Sequence, residues 1–149
     1  MNLTDFDALS FDCYGTLIDW EEGLRNGLSK VAALAPGAPD VDTLLETYGE
    51  VEARTEREHP AMRYPEIIAR SVTATGAAHG IEVPDSLAAE IGSSVPQWPA
   101  FPDSREALQR LKARHKLIIL SNVDRQSFAG SNERLGVEFD TVLTAEDIG

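Results

Sequence analysis

Cysteine is nearly absent. Cys13 stands alone in 149 residues, so no intrachain disulfide can form and a reducing compartment is expected. Basic residues are scarce as well: 13 lysines and arginines face 25 acids, for a formal net charge of −12. That balance disfavours nucleic acid and anionic membrane surfaces as partners, because phosphates are recognised by basic patches. No stretch approaches the roughly 20 apolar residues that span a bilayer. The opening "MNLTDFDALSF" carries acids where a secretory signal would be basic, and its apolar run is short. Together these absences predict a cytoplasmic protein with no membrane or nucleic-acid partner. Internal repeats and low-complexity tracts are missing too.

What is present is an ordinary globular composition, 42% hydrophobic and 26% charged, in a length suited to one domain with a sizeable core. Ala8–Phe11 is a short apolar run with abrupt polar ends, which predicts a buried strand. "KLIILSN" (Lys116 to Asn122) predicts a second, and its continuous apolarity suits a strand covered on both faces. "DTVLTA" (Asp140 to Ala145) predicts a third. Between the first two, apolar residues recur at helical spacing. They predict helices over Trp20–Ala35, Val41–Glu58 and Tyr64–His79, and a shorter one after Asp85. The proline-rich "VPQWPAFPD" (Val95 to Asp103) reads as a connection between subregions. Asp103 or Ser104 is expected to cap a helix running to about Arg114, and Gly136 to end another begun near Asp124.

The order is strand, long helical stretch, then helix–strand–helix–strand. Its βαβ portion predicts a parallel α/β sheet with the helices from about Trp20 to Val95 as an insert. Ligands of such sheets gather at the carboxyl ends of strands. Two strands end there on reactive chemistry, the first at Asp12 and the second at Ser121-Asn122. Asp12 opens a turn in which Gly15 is free to take a positive φ. A carboxylate held in that place can attack carbon or phosphorus and form an ester. Thr16, four residues on, can hold that carboxylate or a substrate oxygen. Ser121 and Asn122 offer a hydroxyl, an amide and backbone N–H groups to an anionic substrate group. By spacing alone, Asp12 can equally cap the following turn, and Ser121-Asn122 the next helix.

"FDCYGTLID" resembles the first motif of the haloacid dehalogenase superfamily, and "LIILSN" resembles its second. The resemblance runs in order along essentially the whole chain. It implies an α/β fold: a three-layer Rossmann-like core with a parallel sheet (here truncated) over residues 1–18 and 97–149, and an all-helical cap over 19–96. It makes Asp12 the catalytic nucleophile, with Tyr14, Thr16, Ser121 and Asn122 binding substrate. Phosphatase members carry a second aspartate two residues after the nucleophile, which protonates the leaving alcohol; this chain has Tyr14 there. Tyrosine at that position resembles the 2-haloacid dehalogenase (type II) branch. The implied reaction displaces a halide, or a strained-ring amine, from the α-carbon of a small 2-substituted carboxylic acid through an aspartyl ester. Water then releases the 2-hydroxy acid. No cofactor or metal is expected; magnesium enters only under the alternative, a magnesium-dependent small-molecule phosphatase.

The sequence departs from the branch in two places. No arginine stands near Tyr48-Gly49, where dehalogenases carry one toward the halide, and Arg54 and Arg57 are expected on a solvated face. The chain also stops at "AEDIG", before the lysine that would balance Asp12 and before the third and fourth motifs. The expectation is therefore a partial version of a longer enzyme, with little or no turnover. A third reading is a non-catalytic remnant that forms a homodimer through the bare edge of the Asp12 strand. His59, His79 and His115 show no metal-ligand spacing and are expected at the surface. Trp20 and Trp98 are expected to pack where insert and core join, and Cys13 to be a small buried hydrophobe.

Overall fold

The structure, a computed structural model, describes residues 2–148. The chain divides into two compact units, one made of residues up to 20 together with those from 96 onward, the other of residues 21–95.

The first unit is built on three parallel strands, β1 (Ala8–Phe11), β2 (Lys116–Ser121) and β3 (Thr141–Thr144), in the order β1-β2-β3. Phe11 aligns with Ile119, and Ser121 with Thr144, so all three strands finish at one edge of the sheet. The connections are α5 (Ser104–Lys112) before β2, α6 (Arg125–Leu135) between β2 and β3, and the single turn α7 (Ala145–Ile148) after β3. Leu108, Leu117, Ile119, Phe128 and Leu135 are buried between sheet and helices. In β2 the buried Leu117 and Ile119 alternate with the exposed Lys116 and Leu120, as the two-residue period of a strand requires.

That alternation corrects two expectations. β1 is not a buried strand: Ala8 and Ser10 are exposed, while Leu9 and Phe11 are half-buried. Nor is β2 covered on both faces, for Leu120 is 50% exposed. Among the described residues β1 pairs only with β2. An apolar run reports strand character, and only neighbours decide how many of its faces are covered. α5 also begins differently from expectation. Asp103 occupies the N-cap position but makes no side-chain cap, and the Ser104 hydroxyl donates to the carbonyl of Leu17 at 2.9 Å. His115 is not at the surface. It is buried, with Nδ1 2.8 Å from the carbonyl oxygen of Phe6, a partner that removes the cost of burying the ring.

The second unit contains α2 (Val41–Glu58), α3 (Tyr64–Ala78), α4 (Asp85–Gly92) and all but the first residue of α1 (Trp20–Ala32). α1 stops at Ala32, three residues short of the expected Ala35, as the chain enters the turn around Gly37 with φ +80°. Asp40 caps α2 through a hydrogen bond from the Thr43 amide, and Arg54 and Arg57 lie exposed on its outer face. His79 is half-buried, its Nε2 2.9 Å from the Thr47 hydroxyl. Glycines set the closest helix approach. A Cβ at Gly92 would stand 2.2 Å from the carbonyl oxygen of Pro65, so α4 meets α3 backbone to backbone.

Tyr48 is fully buried, and its hydroxyl donates to Glu52 Oε1 at 2.8 Å; Tyr64 donates to the same oxygen at 3.0 Å. One carboxylate thus ties α2 to α3. Burial raises the Glu52 carboxyl above the usual range, against the lowering effect of the two tyrosine bonds. A raised carboxyl is most compatible with the fold when protonated, so this contribution is fully present at acid pH and is lost as pH rises through the folded pKa. Glu52→Gln keeps an oxygen for both hydroxyls without the charge. It is expected to raise the Tm at pH 8 and to leave it unchanged at pH 4, measured by thermal melts across that range.

Candidate functional site

The site residues of the first unit follow from its topology. β1 ends at Phe11, and the next residue, Asp12, stands exposed at the edge where all three strands finish. The chain then turns sharply. Gly15 takes φ +86°, its amide donates to the carbonyl of Ile18 at 2.8 Å, and a Cβ there would lie 3.3 Å from Trp20 Nε1. A side chain at Gly15 would meet both strain and the indole. The far limb of the turn is tied down by the Asp19 amide on Pro99 and the Phe101 amide on Leu17. The loop that carries Asp12 is therefore fixed by backbone bonds at both ends.

Thr16 Oγ1 donates to Asp12 Oδ2 at 3.1 Å. That bond orients the carboxylate, and α1 does not begin until Trp20, so Asp12 is not an N-cap. Cys13 is fully buried behind it. Burial first, and the adjacent Asp12 charge second, push its thiol up to about 12, which leaves no thiolate to compete as a nucleophile at neutral pH. Tyr14 turns away from the tip toward α6, its hydroxyl 2.9 Å from Ser131 Oγ and its ring edge-on to Trp98 at a centroid distance of 5.8 Å. Burial holds the phenol protonated well above its ordinary range.

Ser121 is the last residue of β2 and Asn122 the first beyond it. Neither caps α6. Asp124 does, accepting from the Ser127 amide at 3.0 Å and from its hydroxyl at 2.7 Å. Ser121 Oγ is buried without a hydrogen-bond partner among the described residues, and Asn122 is exposed. A buried hydroxyl left without a partner is costly in a native fold, and a ligand group reaching that edge would satisfy it. The sheet thus brings Asp12, Thr16, Ser121 and Asn122 to one edge, while Tyr14 leans off it against α6.

Sequence reading missed the tip of β3. The Thr144 amide and hydroxyl both donate to Asp147 Oδ2 at 2.9 Å, Arg125 pairs with Asp147, and the Arg125 amide reaches Glu146 at 3.2 Å. The rule that picked out Asp12 and Ser121, a polar residue ending an apolar strand, also applies to Thr144. The lysines of the first unit stand elsewhere. Lys116 opens β2 at the opposite end of the sheet and Lys112 is bonded to Asp140, while Lys30 is bonded to Glu90 in the helical unit. Among the described residues no three His, Cys, Asp or Glu side chains are grouped to hold a metal ion, and none of the helices is long and apolar enough to cross a membrane.

Comparison with solved structures shows what this architecture is similar to. The L-2-haloacid dehalogenase from Xanthobacter autotrophicus superposes with a TM-score of 0.76 at 19% identity over 93% of this chain and 56% of its own. A defluorinating L-2-haloacid dehalogenase superposes with a TM-score of 0.79 at 17% identity, over 95% and 61%. The hydrolase YfnB from Bacillus subtilis, bound to magnesium, gives 0.74 at 16% identity, over 95% and 66%. In each case the chain spans less than two thirds of the relative's length. No match occurs among curated protein sequences. At these identities the likeness establishes the fold, a Rossmann-like parallel sheet with a helical cap. The haloacid dehalogenase-like hydrolase family itself matches residues 6–149, and the chain belongs to that family.

Proposed function

We propose that Asp12 is the nucleophile of a 2-haloacid dehalogenase-type displacement on a small 2-substituted carboxylic acid. The observation that carries this reading is the exposed Asp12 carboxylate, held by Thr16 at the carboxyl edge of the sheet. Asp12 Oδ forms a bond to the α-carbon as the bond to the leaving group breaks, and a halide departs with the electron pair. No proton donor is needed for that step. The unpartnered Ser121 hydroxyl, with Asn122 beside it, is suited to the substrate carboxylate. Water attacking the ester carbonyl of Asp12 then frees the 2-hydroxy acid. A strained-ring amine, already protonated on its ring nitrogen so that it departs as a neutral amine, is a second leaving group.

Tyr14 favours carbon over phosphorus. Two residues past the nucleophile, a phosphatase needs an acid for the leaving alcohol, and this phenol is half-buried and engaged with Ser131. Magnesium would need oxygen donors grouped around Asp12, and among the described residues no three His, Cys, Asp or Glu side chains are so grouped. The residues present do not fit a metal. Among the described residues of the first unit no lysine stands beside Asp12, so the chain is expected to form the ester and turn over little. Incubation with 2-chloropropanoate should release at most about one halide per chain, and p-nitrophenyl phosphate should yield no phosphate with or without magnesium. Metal-dependent phosphate release would favour the phosphatase reading. The single buried thiol suits a reducing cytoplasm.

A further inference from the structure

A groove of about 520 Å³ opens on the first unit, between α6 and the segment that leads into α5. Its walls are Pro96, Pro99 and Ala100, and its charged lining is Arg105, Glu133 and Arg134. The walls are fixed by backbone contacts. The Pro99 carbonyl accepts from the Asp19 amide at 2.8 Å, and Ala100 bridges to Ile18. Gly130 brings α6 so near that a Cβ there would stand 2.4 Å from Pro96 Cβ.

The two guanidiniums are fixed as well. Arg105 donates through Nε and Nη2 to the carbonyl of Arg134, at 3.2 and 2.8 Å. A Cβ on Gly136 would stand 2.9 Å from the Arg105 Cζ, so that guanidinium lies close against the glycine. Arg134 Nε donates to the carbonyl of Pro96 at 3.0 Å. A guanidinium has five N–H donors, and these carbonyls use only part of each set. Carbonyls are also neutral, so they leave the charge unanswered. Neither arginine has a carboxylate partner among the described residues, although the chain carries 25 acids to 13 bases. Both are exposed, which leaves the remaining donors open to a ligand.

We propose that this groove binds a small organic monocarboxylate, its two oxygens received by Arg105 and Arg134 and its apolar body lying on Pro96, Pro99 and Ala100. The planar fork of a guanidinium matches the two oxygens of a carboxylate. Charge selects the valence. Two guanidiniums against the single carboxylate of Glu133 leave a surplus of one positive charge, which a monoanion neutralises and a phosphate dianion exceeds. Volume and rigid walls suit a preformed small-molecule site. The proposal does not depend on the chemistry at Asp12.

The probe is 2-methylpropanoate, which has no leaving group for Asp12 to displace. Titrated into the ¹⁵N-labelled chain at constant ionic strength, it is expected to shift the Ala100 and Gly130 amides and the Arg134 Nε–H saturably. The Ser121 and Asn122 amides report separately on binding at the strand tips. Arg134→Gln should weaken the groove's affinity about tenfold, the effect of losing a charged hydrogen bond. Glu133→Gln should tighten it about twofold by removing an exposed like charge. Glu133 is exposed, so this second variant keeps the fold and reads the charge balance even if Arg134→Gln is unstable. Tighter binding of inorganic phosphate at the same signals would overturn the carboxylate assignment. Shifts confined to Ser121 and Asn122, shifts that never saturate, or an affinity unmoved by Glu133→Gln would overturn the site.

Discussion

Asp12→Asn is expected to lower the rate of labelling by a 2-halo acid by roughly 10³-fold or more, while leaving the fold intact. An amide oxygen holds its electron pair in conjugation and is a far weaker nucleophile than a carboxylate oxygen. Asparagine still presents an oxygen to Thr16 Oγ1, and Asp12 is exposed, so the loop keeps its bonds at Gly15, Asp19 and Phe101. Exposed substitutions of this kind stay within about 0.5 kcal/mol of the parent. A stopped time course read by intact mass, with a thermal melt alongside, checks both halves. Cys13 does not rescue the label, because its buried thiol stays protonated.

Gly92→Ala and Gly49→Ala are expected to move stability in opposite directions. Both glycines are helical with ordinary φ, Gly49 inside α2 and Gly92 the last residue of α4, so the propensity gain is up to about 1 kcal/mol at Gly49 and no larger at Gly92. At Gly49 nothing lies within 4 Å of the added Cβ, and the gain stands alone. At Gly92 the new methyl would sit 2.2 Å from a backbone oxygen and 3.2 Å from its carbon, atoms that no rotamer change can move. Overpacking of that kind costs about 3 kcal/mol and exceeds the propensity term. In a unit of this size each kcal/mol is roughly 4–8 °C. Gly92→Ala should therefore melt about 10 °C below the parent, and Gly49→Ala a few degrees above it. A Gly92→Ala protein as stable as the parent would contradict the close approach of α3 and α4.

Local chemistry made the element boundaries legible. α2 has the limits its sequence predicts because Asp40 caps one end and His59-Pro60 closes the other. Gly136, in the left-handed region at φ +62°, ends α6 where expected. β1 and β2 stop where apolar residues give way to Asp12 and Asn122. The parallel order followed from a helix between the last two strands. Long-range partners were not legible. The Tyr14–Ser131 bond joins residues 117 apart, and the His115–Phe6 bond joins residues 109 apart, so no local period announces either. The exposure of Leu120 had the same cause, since a run of apolar residues carries no record of which face will be covered. Glu52 lay between these cases. Its i,i+4 spacing from Tyr48 was visible, whereas the second bond, from Tyr64, depends on how α2 and α3 pack.

In the proposed reaction a strand tip turns one exposed carboxylate into a carbon nucleophile. Peptide mapping of the native chain after exposure to 2-bromopropanoate tests it most directly. One ester per chain is expected, on the peptide that contains Asp12, absent from Asp12→Asn and formed without added metal. Label spread over other carboxylates, or an Asp12 peptide of unchanged mass beside a labelled one elsewhere, would contradict it.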